Sequence, residues 1–129
     1  DVARVSRQFS TGEVIRLEIP VQVRVSVPDP RIDAVRGCVA IERGPLVLCA
    51  ESVDLDGEDI AGLSVDPTTV REHGGVARIS GRLTPPSPAP WPYGPGPVGR
   101  GERIVEVALT PYHSWAQRGP STMRVWLPT

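Results

Sequence analysis

Residues 13–27 read "EVIRLEIPVQVRVSV", and this stretch decides the fold class. Ile15, Leu17, Ile19, Val21, Val23, Val25 and Val27 fill the odd positions, while Arg16, Glu18, Gln22, Arg24 and Ser26 fill even ones. Side chains of an extended chain point alternately to two faces, so the pattern predicts a strand with one face buried. Pro20 interrupts the polar series. It has no amide hydrogen to give a ladder, which places a bulge or corner there, where one long strand passes between two sheets. Val2 and Val5 extend the strand reading to the start of the chain.

After a "PDP" turn at 28–30, "CVAIERGPLVLCAE" at 38–51 forms two apolar runs. A hairpin with Arg43-Gly44 as its two-residue loop sets Cys38 opposite Cys49, Val39 opposite Leu48 and Ile41 opposite Leu46. Both faces of such a pair are apolar, as in a central, doubly covered position. "GVARISGRL" (75–83), "ERIVEVALT" (102–110) and "TMRVWLP" (122–128) are further strands, and in "DPTTVREH" (66–73) Asp66 and Pro67 are suited to cap and open one helical turn. Residues 84–101, "TPPSPAPWPYGPGPVGRG", carry seven of the fifteen prolines and read as a surface loop insertion. Short strands punctuated by Gly and Pro predict an all-β, antiparallel β-sandwich as one domain over residues 1–129.

Composition narrows the function classes. The net charge is −1 and no basic stripe is present, which speaks against nucleic acid as a partner. No apolar run approaches the roughly 20 residues of a membrane-spanning helix, so no membrane partner is expected. Every basic residue apart from the two histidines is arginine, and asparagine is absent, the mark of a GC-rich bacterial genome. The first ten residues lack a signal-peptide pattern, and a start already inside a strand suggests a piece of a longer protein. A cytoplasmic and a secreted location both stay open.

Few residues point to chemistry. His113 adjoins Ser114, but neighbours on an extended segment face apart and cannot work as base and nucleophile. "DLDGED" at 54–59 is acidic enough for a calcium loop but lacks its spacing, which leaves an exposed acidic turn. Cys38 and Cys49, if opposed, come within disulfide reach; two buried free thiols are the favoured alternative. No cofactor is expected on this chain.

Two segments, "GCVAIERGPLVLCAE" (37–51) and "LTPYHSWAQRGPSTMRVWLP" (109–128), preceded by "ARVSRQFSTGEVIRLEIPVQVRV" (3–25), resemble in order and spacing the C-terminal region of bacterial β-L-arabinofuranosidase-like enzymes of glycoside hydrolase family 127. The strongest elements are Arg43-Gly44-Pro45-Leu46 and the Pro-Tyr-x-x-Trp-x-x-Arg-Gly pattern at 111–119. Gln117 and Leu48 depart from the asparagine and the aromatic residue common at those places. The resemblance implies a large enzyme with an N-terminal α/α-barrel, to which the catalytic cysteine, the acid/base glutamate and the zinc site belong. None of these roles transfers to Cys38, Cys49 or any other residue here.

The expected role is therefore a non-catalytic C-terminal region that supports or caps the protein's own upstream catalytic domain. In that role Arg43, Gly44, Pro45, Tyr112, Trp115, Arg118 and Trp126 form the structural or interface motif, and Arg118 pins its own turn through nearby carbonyls. The alternative is a carbohydrate-binding module, with a glycan stacked on Trp91, Tyr93 or Trp115. An exposed strand edge makes a homodimer a further candidate. An immunoglobulin-like adhesion domain fits poorly, because no tryptophan falls between the two cysteines.

Overall fold

Alternation continues to govern the folded chain, whose computed structural model describes residues 2, 4–85 and 101–129. The strands are β1 (Val23–Ser26), β2 (Cys38–Arg43), β3 (Leu46–Glu51), β4 (Leu63–Val65), β5 (Arg71–His73), β6 (Val76–Leu83), β7 (Arg103–Pro111), β8 (Met123–Arg124) and β9 (Leu127–Pro128). Among the described residues the helical segments are 3-10 turns of three or four residues. The all-β, antiparallel reading holds. One sheet in the order β1-β2-β3-β7-β6-β4 has β5 added on β6, β8 on β3 and β9 on β2. Because β4 also lies against β9, the sheet curls nearly shut, barrel-like, around one core.

The central pair β6 and β7 shows how residue type sets the layers. Ala77 lies opposite Leu109 and Ile79 opposite Val107, all facing inward, while Arg78 and Arg82 face water. Val39, Ile41, Leu48, Ala50, Leu63, Val65 and Leu127 complete the core from β2, β3, β4 and β9. The capped turn is present: the Asp66 carboxylate accepts from Thr68 N at 2.9 Å, with Pro67 opening the turn. Residues 71–73 of the same stretch continue as β5.

The hairpin register differs from the expected one. Arg43 pairs with Leu46, so the loop is Gly44-Pro45 rather than Arg43-Gly44. Gly44 takes φ 55°, the left-handed conformation that tight hairpin loops ask of their first residue, and proline's fixed φ suits the second. Every pair shifts by two, which leaves the faces unchanged but separates the thiols. Cys38 pairs with Pro128 and Cys49 with Thr110, and both cysteines are free.

The long first strand is also shorter than its alternation suggests. It forms only over Val23–Ser26, and neither residues 13–22 nor Val2 and Val5 belong to a strand. The reason is partner length. Val23 lies opposite Arg43, where β2 ends, and Gln22 O accepts the Gly44 N–H at 3.3 Å as the hairpin reverses. Beyond Gln22 this sheet offers no ladder. The strand expected at 122–128 likewise splits at Val125-Trp126, since β8 and β9 pair with the two hairpin strands where these diverge. The proline-rich loop, with Trp91 and Tyr93, lies outside the described residues except at 84, 85 and 101.

Gly81, inside β6, marks a strand contact too close for a side chain. A Cβ there would stand 2.4 Å from Ser64 O and 3.1 Å from a Leu63 methyl, whereas one at Gly101 would meet nothing within 4 Å. Gly81→Ala should lower the unfolding free energy in urea by about 2 kcal/mol. Gly101→Ala should leave the midpoint unchanged.

Candidate functional site

Strand β3 is apolar on both faces, and its outer face needs a cover. Cys49 and Glu51 are buried there, Glu51 at 1% exposure. The cover is the segment that follows β7, which begins with a 3-10 turn at Tyr112–Ser114 packed against β3. Thus His113 and Ser114 sit in a tight turn, not in the extended segment expected of them.

A buried carboxylate is costly unless its oxygens are satisfied. Glu51 Oε1 accepts from Ala116 N at 2.8 Å, and Oε2 from Arg118 Nη2 at 2.7 Å. Ala116 holds φ 62°, a strained conformation for a residue with a side chain, and its amide is held there by the Glu51 carboxylate. Arg118 forks onto Asp54, at 2.8 Å from Nη1 to Oδ1 and 2.6 Å from Nη2 to Oδ2, and reaches Thr110 Oγ1 at 3.2 Å. The Asp54 and Glu51 carboxylates hold the guanidinium still more firmly protonated than free arginine. Ser52 completes the seam: its amide donates to Thr122 O at 2.9 Å and its hydroxyl oxygen accepts from Thr122 N at 3.0 Å.

The expectation that Arg118 bonds to carbonyls of its own turn is therefore corrected. Two carboxylates 64 and 67 residues away attract the cation more strongly than neutral carbonyls do. Glu51 was not singled out in the sequence, and its signal is an acid that closes the apolar run "LVLCAE" with no polar neighbour before it. The acidic turn is fully engaged as well: Arg103 pairs with Asp56 at 3.2 Å and Glu58 at 2.9 Å, and Asp59 accepts from Ala61 N.

Tyr112, Trp115 and Trp126 ride on this cover or beside it and are 47%, 40% and 37% exposed, outside the buried core. The Arg43-Gly44-Pro45 turn is elsewhere, at the other end of the six-residue strand β3, on the order of 17 Å away. There Arg43 pairs with Glu72 of β5 at 2.9 Å, and its Nε is buried without a partner. The two sequence motifs thus do not meet in one pocket. An open groove of about 590 Å³ between β4, β6 and the C-terminus is lined by Ser64, Asp66, Arg82 and Ile104 and lies apart from both.

Among the described residues no three His, Cys, Asp or Glu side chains converge, and the two cysteines pair with different strands. Burial first, and the Glu51 charge second, push the Cys49 thiol up to about 11, away from the thiolate that binds metal or attacks carbon.

Arg118→Met should strand a buried carboxylate and cost about 3 kcal/mol in chemical denaturation. Adding Glu51→Gln should recover part of that loss, because the partner charge is removed with it. The Cys49 shift sets an alkaline limit. The raised folded-state value favours the thiol, so this contribution is fully present below pH 9 and is lost as pH rises toward about 11. A stability profile over that window should fall more steeply for the natural chain than for Cys49→Ala.

Known proteins supply the context for this geometry. The glycoside hydrolase family 127 C-terminal domain matches residues 23–128. Among solved structures, a GH127 β-L-arabinofuranosidase from Geobacillus stearothermophilus T6 is similar at 28% identity and a TM-score of 0.61, over 84% of this chain and 18% of its own. A structure described as a glycoside hydrolase aligns at 29% identity and a TM-score of 0.64, over 84% of this chain and 19% of its own. A GH127 β-arabinofuranosidase aligns at 29% and 0.53, over 84% and 17%. No curated protein sequence matches. The chain spans less than a fifth of these solved relatives. With the family match covering β1 through β9, the chain belongs to the glycoside hydrolase family 127 C-terminal domain family.

Proposed function

We propose that this chain is a non-catalytic accessory domain of a β-L-arabinofuranosidase-like glycoside hydrolase, one that supports or caps an α/α-barrel catalytic domain in the same polypeptide. The observation that carries the reading is the fate of the buried acid. Glycoside hydrolysis needs an acid/base carboxyl group and a nucleophile facing a cleft with access to substrate and water. Glu51 is sealed, with both oxygens accepting bonds from Ala116 and Arg118, and Asp54 is forked onto the same arginine. The strongest charge cluster is consumed in holding the chain's own cover in place. Under this reading the catalytic residues and the zinc lie in the upstream barrel, and Tyr112, Trp115 and Trp126 form part of the face turned toward it.

The assay is direct. The 129-residue chain, incubated with a chromogenic β-L-arabinofuranoside and zinc, should release no more product than buffer. Turnover that disappears in Glu51→Gln would overturn the proposal.

The exposure of the three rings supports a second reading, a glycan-binding role, because flat aromatic faces left in water are what sugar C–H groups stack on. In gels containing arabinan, retardation that is lost in Trp115→Ala would favour glycan binding, and unchanged mobility would favour an interface within the protein.

A further inference from the structure

Residues 14–21 carry the most regular alternation in the sequence, yet among the described residues no strand pairs with them. Ile15, Leu17 and Ile19 are 58%, 72% and 70% exposed. The cause is geometric: the partner hairpin turns at Gly44-Pro45, and the arm runs on past it. Val21 still lies against the hairpin loop, one of its methyls 2.9 Å from where a Gly44 Cβ would sit. At its other end the arm starts from a turn. Glu13 N donates to Ser10 O at 3.2 Å, Gly12 takes φ 85°, and Arg7 pairs with Glu13 across this turn.

We infer that residues 13–19 are a β-strand of a second sheet, supplied by polypeptide N-terminal to this domain in the same gene product, so that one extended segment is shared by two sheets. Ile15, Leu17 and Ile19 face the apolar layer of that sheet, and Arg16 and Glu18 face water. Pro20 falls between the two ladders, where neither asks for an amide hydrogen. The occupant is argued from two facts. The family match begins at residue 23, just after the arm, and 84% of this chain covers less than a fifth of each solved relative. A second copy is the weaker partner, because two arms pairing with each other make a two-stranded ribbon that cannot bury its own face. The inference rests on the accessory-domain reading and adds to it a mechanical link between the domains.

Hydrogen exchange read by mass spectrometry tests it on the native gene product beside the 129-residue chain. Peptides covering 13–19 should exchange about 100-fold more slowly in the native product than in the short chain held at a monomeric concentration. Leu17→Asp should abolish that protection while β6 and β7 keep theirs, and Arg16→Ser, on the wet face, should leave it intact. Unprotected exchange at 13–19 in the native product would overturn the inference. So would protection already present in the monomeric short chain, or protection that appears only as the short chain self-associates. Hydrolysis by the short chain would instead strike at the accessory-domain reading alone, so the two failures are distinct.

Discussion

A carboxylate buried at the end of β3 is the constraint on which the outer half of this domain depends. Glu51 ends a strand whose residues from Leu48 onward are buried, and it shares the outer face with Cys49, so its charge is shut off from water by the same cover. It is satisfied only when the segment after β7 folds back and brings the Ala116 amide and the Arg118 guanidinium to it. The same guanidinium then fixes Asp54, while Ser52 and Thr122 zip the adjoining backbone. The C-terminal strands β8 and β9 follow directly from this anchored segment, and their pairing with β3 and β2 carries the sheet toward closure.

The anchor is one of several places where the charged groups are spent on one another. Arg118 serves two acids, Arg103 two more, and Arg43 crosses to Glu72. Each pair ties a loop or an edge strand to a neighbour distant in sequence. Exposed pairs of this kind contribute little individually, but a pair with one buried partner fixes which loop conformation is allowed. Apolar surface left open among the described residues includes the rings of Tyr112, Trp115 and Trp126 and the arm before β1.

Much of the architecture was legible because strand periodicity is a local property. The strands at 76–83 and 103–111 fall where alternation in "GVARISGRL" and "ERIVEVALT" puts them, and Asp66 and Pro67 open their turn for reasons contained in two residues. The family motifs around Gly44 and Arg118 were legible too, since a hairpin glycine and an aromatic, arginine-containing loop leave distinct residue patterns.

Taken alone, the sequence determined an all-β chain, the inward residues of its central strands and the doubly buried character of β2 and β3, because each follows from side-chain polarity read at a spacing of two. Only the tertiary structure decided the rest. Gly44-Pro45 became the loop because φ at Gly44 must be positive, and that shift parted Cys38 from Cys49. The long alternating strand stopped at Val23 because its partner had already turned away. Glu51 found Arg118 across 67 residues because a charge left without water takes the strongest donor that the folded chain brings within reach.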